Sequence, residues 1–161
     1  MGINISASHL LNADFARQLS ELLQHYPNLS PGQIELEILE STAIRDLAAA
    51  REALVRCQGF CVRFALDDFG TGYSSLTYLR QLPVHSLKID QSFVRDMLED
   101  PDDHNIVAGV VQLAQVFDRS VIAEGVETTA HAKALLSIGC ELAQGYGVAR
   151  PMPAAEVAGW I

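Results

Sequence analysis

The sequence predicts an α/β fold: a mainly parallel sheet with helices outside. Three observations lead there. Short apolar runs alternate with longer helical stripes, six times over. A chain of 161 residues that is 49% hydrophobic can bury a sizeable core. Finally, no linker, low-complexity tract or charge block divides it, so residues 1–161 read as one domain.

The elements follow in order. Ile3-Asn4-Ile5-Ser6 is β-like, and Leu10, Leu11, Phe15, Leu19, Leu22 and Leu23 form a helical stripe over residues 7–25. Residues 27–32 are a turn cluster, and Ile34 to Ile38 alternate as a strand. An alanine-rich helix begins at Asp46 and is capped near Gly59. Cys61 to Leu66 is the third strand; residues 74–82 are a short helix stopped by Pro83, with Ser74 or Ser75 as its cap. Ser86-Leu87-Lys88-Ile89 is the fourth strand, residues 103–117 a helix, and Ser120-Val121-Ile122-Ala123 the fifth strand. Residues 128–138 are helical, Glu141-Leu142-Ala143 is a brief sixth strand, and a last helix starts near Pro153 with Trp160 in its core face.

Composition excludes several classes. The net charge is −9, with two lysines and nine arginines, which makes the chain a poor partner for a DNA or RNA polymer or for anionic lipid. No apolar run reaches the roughly 18 residues of a membrane helix, and no secretory signal opens the chain. Cys57, Cys61 and Cys140 are odd in number and lie among apolar residues, so they read as reduced core thiols of a cytoplasmic protein.

Chemistry collects at the strand ends. Asn4, Glu37, Asp67-Asp68, Lys88 with Asp90, Glu124 and Gln144 close successive strands. In parallel α/β folds these ends share one face, where active sites are built. Taken singly, each residue reads as a cap or a solvated loop group; polar residues at all six strand ends together argue for a site. Carboxylates with an amide oxygen are hard ligands for magnesium, manganese or calcium, and Asp67-Asp68 is the best candidate to bridge two ions. Lys88 either orients a water at a phosphoryl group or forms a salt bridge across the mouth; spacing does not separate these. Tyr146, after Gln144-Gly145, is a candidate for base stacking or for packing. The embedded Asp68-Phe69-Gly70 does not make a protein kinase, because the glycine loop and the His-Arg-Asp loop are missing. A receiver domain is excluded because two βα units precede the acidic pair. The five histidines share no strand-end position and are assigned to surface or packing sites.

With these residues in hand, the chain resembles the EAL domain, the cyclic di-GMP phosphodiesterase family. The matching stretches are Asn4-Ile5-Ser6, Glu37 to Ser41, Asp67 to Leu76, Leu87 to Asp90, Ala123 to Thr128, Gln144-Gly145-Tyr146 and Arg150-Pro151, in the family's order. The resemblance implies a TIM-like (β/α) barrel and hydrolysis of cyclic di-GMP to linear pGpG with Mg2+ or Mn2+ at a two-metal site. It implies that Asn4, Glu37, Asp67, Asp68 and Glu124 hold metal. Lys88, Glu124, Glu127 and Gln144 would form the catalytic set, and Asp90, Tyr146, Arg150 and Pro151 the substrate contacts. Glu40 would anchor the loop after Asp68, a region the family uses in homodimers.

The Glu-Ala-Leu tripeptide that names the family belongs on a strand before Asn4. Glu52-Ala53-Leu54 falls instead in the helix after the second strand and is not counted. The expectation is therefore an incomplete barrel, about six of eight strands, without its first two strands, one ligand glutamate and a neighbouring arginine. The alternative is an inactive EAL module that binds cyclic di-GMP or a protein partner in a regulatory role. Two open sheet edges also lead us to expect weak stability, or pairing with a second copy.

Overall fold

The computed structural model describes residues 1–30, 32–60, 62–72 and 76–160 (for Thr77, the backbone only). Six strands form one parallel sheet in sequential order: β1 (Gly2–Asn4), β2 (Glu35–Leu39), β3 (Arg63–Phe69), β4 (Ser86–Ile89), β5 (Ser120–Ala123) and β6 (Leu142–Ala143). The sheet curls into a half-barrel, as the resemblance implies, with helices outside, as the alternating pattern predicts. The four central strands carry the core. Phe64, Ala65, Leu66, Leu87 and Ile89 are fully buried, whereas every residue of β1 and β6 is exposed.

The helices differ from the sequence reading in instructive ways. The first stripe is two helices, α1 (Ala7–Leu10) and α2 (Phe15–Gln24). Asn12 breaks it: its Oδ1 accepts from the Asp14 backbone N–H at 2.8 Å, a local bond that competes with helix. A short helix, α3 (Glu40–Arg45), follows β2 directly, ahead of α4 (Leu47–Cys57), which Asp46 caps through Ala49 N–H at 3.0 Å. A 3₁₀ turn, Gln58–Phe60, ends that unit. Helix α5 (Leu76–Gln81) falls within the expected 74–82; Ser74 and Ser75 as its caps, and Cys61, lie outside the described residues. A second unexpected helix, α6 (Gln91–Asp96), follows β4, capped by Asp90. Then come α7 (Pro101–Val116), α8 (Thr129–Ser137) and α9 (Ala154–Trp160). Trp160 is a correction: it is 54% exposed, because α9 packs none of its residues into the core.

Cys57 and Cys140 are buried free thiols, and burial raises both pKa values. Among the described residues, no helix is long and apolar enough to cross a membrane.

Candidate active site

The site is built where the central strands end. β3 runs past the expected boundary and contains Asp67 and Asp68. Neighbouring residues of a regular strand point to opposite faces. Here the β3–β4 register shifts between Leu66 and Phe69, and Asp68 takes φ +53°. Such a bulge re-aims side chains, and it brings both aspartates to one side. Asp67, Asp68 and Glu124 each offer a carboxylate oxygen, all within 4.8 Å of one another.

Lys88 crosses this cluster. Its Nζ lies 2.7 Å from Glu37 Oε2, 3.0 Å from Asp67 Oδ1 and 2.7 Å from Glu124 Oε1, and the lysine is 3% exposed. Of the two arrangements the spacing leaves open, this conformation adopts the salt bridge. Three carboxylates surround one ammonium as ion pairs. Burial alone would lower the Lys88 pKa, but Glu124, Glu37 and Asp67 outweigh it and the net shift is upward. Burial raises Glu124, offset in part by Lys88. Asp68 is pushed up to about 6 by burial, by Asp67 and by the facing Asp90. Asp90 goes the other way: burial would raise it, but bonds from Ser92 hold it below the usual range.

A divalent cation fits this donor set. All the donors are hard oxygens, and Asp67 Oδ1 is buried without a hydrogen bond, since Lys88 sits beside it at ion-pair distance but out of line. A cation would also relieve the repulsion that raises Asp68.

The remaining expected residues surround the cluster. Asn4 pairs in register with Glu37 but is exposed on the edge strand. Asp90 uses Oδ1 to cap α6 at Ser92 N–H, 2.8 Å away. Glu124, Glu127, Gln144 and Tyr146 line one cavity of about 330 Å³ together with Gln91 and two glycines. Arg150 stacks over the Tyr146 ring at 4.6 Å, and Pro151 follows, exposed. Glu40 is fully enclosed. Its Oε2 accepts from Gly70 N–H at 3.0 Å and its Oε1 from the Tyr78 hydroxyl, so it reaches the loop after Asp68 across 30 residues. The histidines stay clear of the cluster; His85, for one, accepts from Phe64 N–H at 3.1 Å.

Two contributors escaped the sequence reading. Tyr78 lies in an ordinary helical stripe, and nothing local marks its hydroxyl. Gly2 gives Glu37 room: a Cβ there would overlap the Glu37 carboxylate. Its one signal in the sequence is a glycine directly ahead of a β-like run.

Comparison with known proteins accords with this geometry. The EAL domain profile matches residues 1–151. The bifunctional diguanylate cyclase/cyclic di-GMP phosphodiesterase MucR of Pseudomonas aeruginosa is 40% identical over 158 residues, covering 98% of this chain and 23% of MucR. The cyclic di-GMP phosphodiesterase PA2567 of the same organism is 38% identical over 161 residues, 100% of this chain and 27% of PA2567. The chain thus spans about a quarter of these curated relatives. A PaMucR phosphodiesterase structure in complex with c-di-GMP superposes with a TM-score of 0.92 at 39% identity, over 97% of this chain and 63% of that one. The EAL domain of Mycobacterium smegmatis DcpA gives 0.92 at 39%, over 98% and 70%. The sheet, the order of strand-end residues and the profile agree: this chain belongs to the EAL domain family.

Proposed function

We propose that this chain carries the metal-binding face of a cytoplasmic cyclic di-GMP phosphodiesterase, which hydrolyses cyclic di-GMP to linear pGpG with Mg2+ or Mn2+. One observation carries the reading: Asp67, Asp68 and Glu124 converge within 4.8 Å around a buried lysine. The named activity and the bound ligand of the relatives support the substrate.

In this reading Asp67, Asp68, Glu124, Glu37 and Asn4 hold the cations. When bound, such ions supply charge stabilisation at the phosphodiester and a nucleophilic water at neutral pH. The protein's own groups do the rest. Asp67 and Asp68 keep their aim because the bulge fixes their backbone. Lys88 orients the water, which requires one of its three ion pairs to open. Glu127 and Gln144 complete the network from the rim of the 330 Å³ cavity. Tyr146, Arg150 and Pro151, with Asp90, contact the dinucleotide; the stacked Arg150 and Tyr146 present a planar cation and an aromatic face. Glu40 fixes the loop after Asp68, and that region serves a homodimer.

The test is release of linear pGpG with Mg2+ or Mn2+, for this chain and for a version extended N-terminally by two strand–helix units. Turnover by the extended version supports the reading. Binding of cyclic di-GMP without turnover would replace it with a regulatory module, and neither binding nor turnover would end both.

A further inference from the structure

We infer that His131 is a positioning residue for the proposed reaction: its ring latches the loop bearing Glu124 and Glu127 onto α6, the helix that Asp90 caps. The functional consequence rests on the phosphodiesterase reading; the latch itself is a matter of geometry.

His131 is 6% exposed and lies in the first turn of α8. Its Nε2 is 3.1 Å from the Arg95 carbonyl oxygen, 36 residues away in the last turn of α6. A carbonyl only accepts, so Nε2 carries the proton. Nδ1 of the neutral ring is then an acceptor, and the Thr128 hydroxyl, 3.0 Å away, donates to it. The same hydroxyl oxygen accepts from His131 N–H at 3.3 Å, closing the α8 cap. The chain of bonds is complete and allows one tautomer. It also satisfies one of the carbonyls that the end of α6 leaves without a helical partner.

The other end of α6 meets the same loop. Gly125 has φ +72°, and a Cβ on it would lie 2.6 Å from the Gln91 Cβ. The loop and the first turn of α8 that follows it therefore touch α6 at both ends: Gly125 against the first residue, His131 on the penultimate one. Glu124 and Glu127 sit at and between these points, and Asp90 faces Asp68 from the cap of the helix so held. The loop also supports its neighbour, since Val126 N–H bonds to Gln144 O at 3.1 Å and Gly147 N–H to Val126 O at 2.8 Å. Freeing His131 loosens three segments of the site together.

Hydrogen exchange on the 161-residue chain tests the latch. His131→Leu keeps the bulk and removes both ring bonds. Its amides at Val126 and Gly147 should exchange about tenfold faster or more, with those of Leu66 and Leu87 unchanged. In the extended version, kcat should fall with little change in KM. His131→Gln, whose amide can donate to the Arg95 carbonyl, should restore both. Wild-type exchange at Val126 and Gly147 in His131→Leu, or equal acceleration across the whole sheet, would overturn the latch. So would failure of Gln to rescue. If the leucine variant does not fold, His131→Phe, which keeps a planar ring and removes both ring bonds, decides by the same amides: faster exchange supports the latch and unchanged exchange overturns it. If the extended wild type does not turn over, the phosphodiesterase reading fails, and exchange alone judges the latch.

Discussion

The four central strands and the two edge strands do different work. β2 to β5 bury almost every side chain that points inward, and they supply Glu37, Asp67, Lys88 and Glu124, which interlock through one ammonium. β1 and β6 are exposed throughout; Asn4 in β1 and Gln144 just after β6 are placed by backbone pairing. Beside β1 an apolar groove of about 760 Å³ runs under α2, lined by Ile3, Phe15, Leu19, Leu22 and Leu36 among others. The chain exposes 9510 Å², against roughly 7,900 Å² for a closed globule of its mass. The difference teaches that the acidic cluster is preorganised by the middle of the sheet, while the rim depends on edge pairing and on loop contacts.

Breaking the centre should have the largest effect. Lys88→Met leaves Glu37, Asp67 and Glu124 crowded without a counter-charge, and should destabilise the metal-free chain by about 3–5 kcal/mol in urea denaturation. Added Mn2+ should recover part of the loss by taking over the neutralising role. A paired truncation sharpens the contrast between middle and edge. Ile38→Ala, at a position 1% exposed in β2, should cost about 2–5 kcal/mol, and Leu142→Ala, 50% exposed in β6, less than about 1 kcal/mol, by the same assay.

The contrast also governs what could be read from sequence. The alternating pattern located all six strands, and β4 and β5 to the residue, because buried strands of a parallel sheet announce themselves as apolar runs. The strand-end polar residues were legible for the same reason: they interrupt those runs. Two six-residue helices, α3 and α6, were not, since each follows its strand without a turn signal and is too short for a helical period. The bulge was hidden as well. A pair of aspartates after Leu66 reads as a strand's end, and only the register shift shows them within it. Trp160 was misassigned because apolarity alone does not say what will cover it.

Two weaker perturbations probe the link between centre and rim. Glu40→Gln keeps the shape but removes the charge that Gly70 and Tyr78 address. It should lower stability by about 1–3 kcal/mol and weaken cation binding several-fold, since the loop it fixes at Gly70 follows Asp68 closely. The smallest effect expected is on pH dependence. Asp68 has its folded pKa raised to about 6, so the native state binds a proton more readily than the unfolded chain. Its contribution to metal-free stability is therefore fully present below about pH 4 and is lost as pH rises through about 6. Asp68→Asn should flatten that fall in a series of denaturation curves.

The most direct test is calorimetric titration of Mn2+ and Mg2+ into the chain and into Asp68→Asn. A preorganised centre should give saturable binding in the wild type and affinity at least about tenfold weaker in the variant. No saturable binding by the wild type, or equal affinity in both, would contradict a cation site at the ends of β3 and β5.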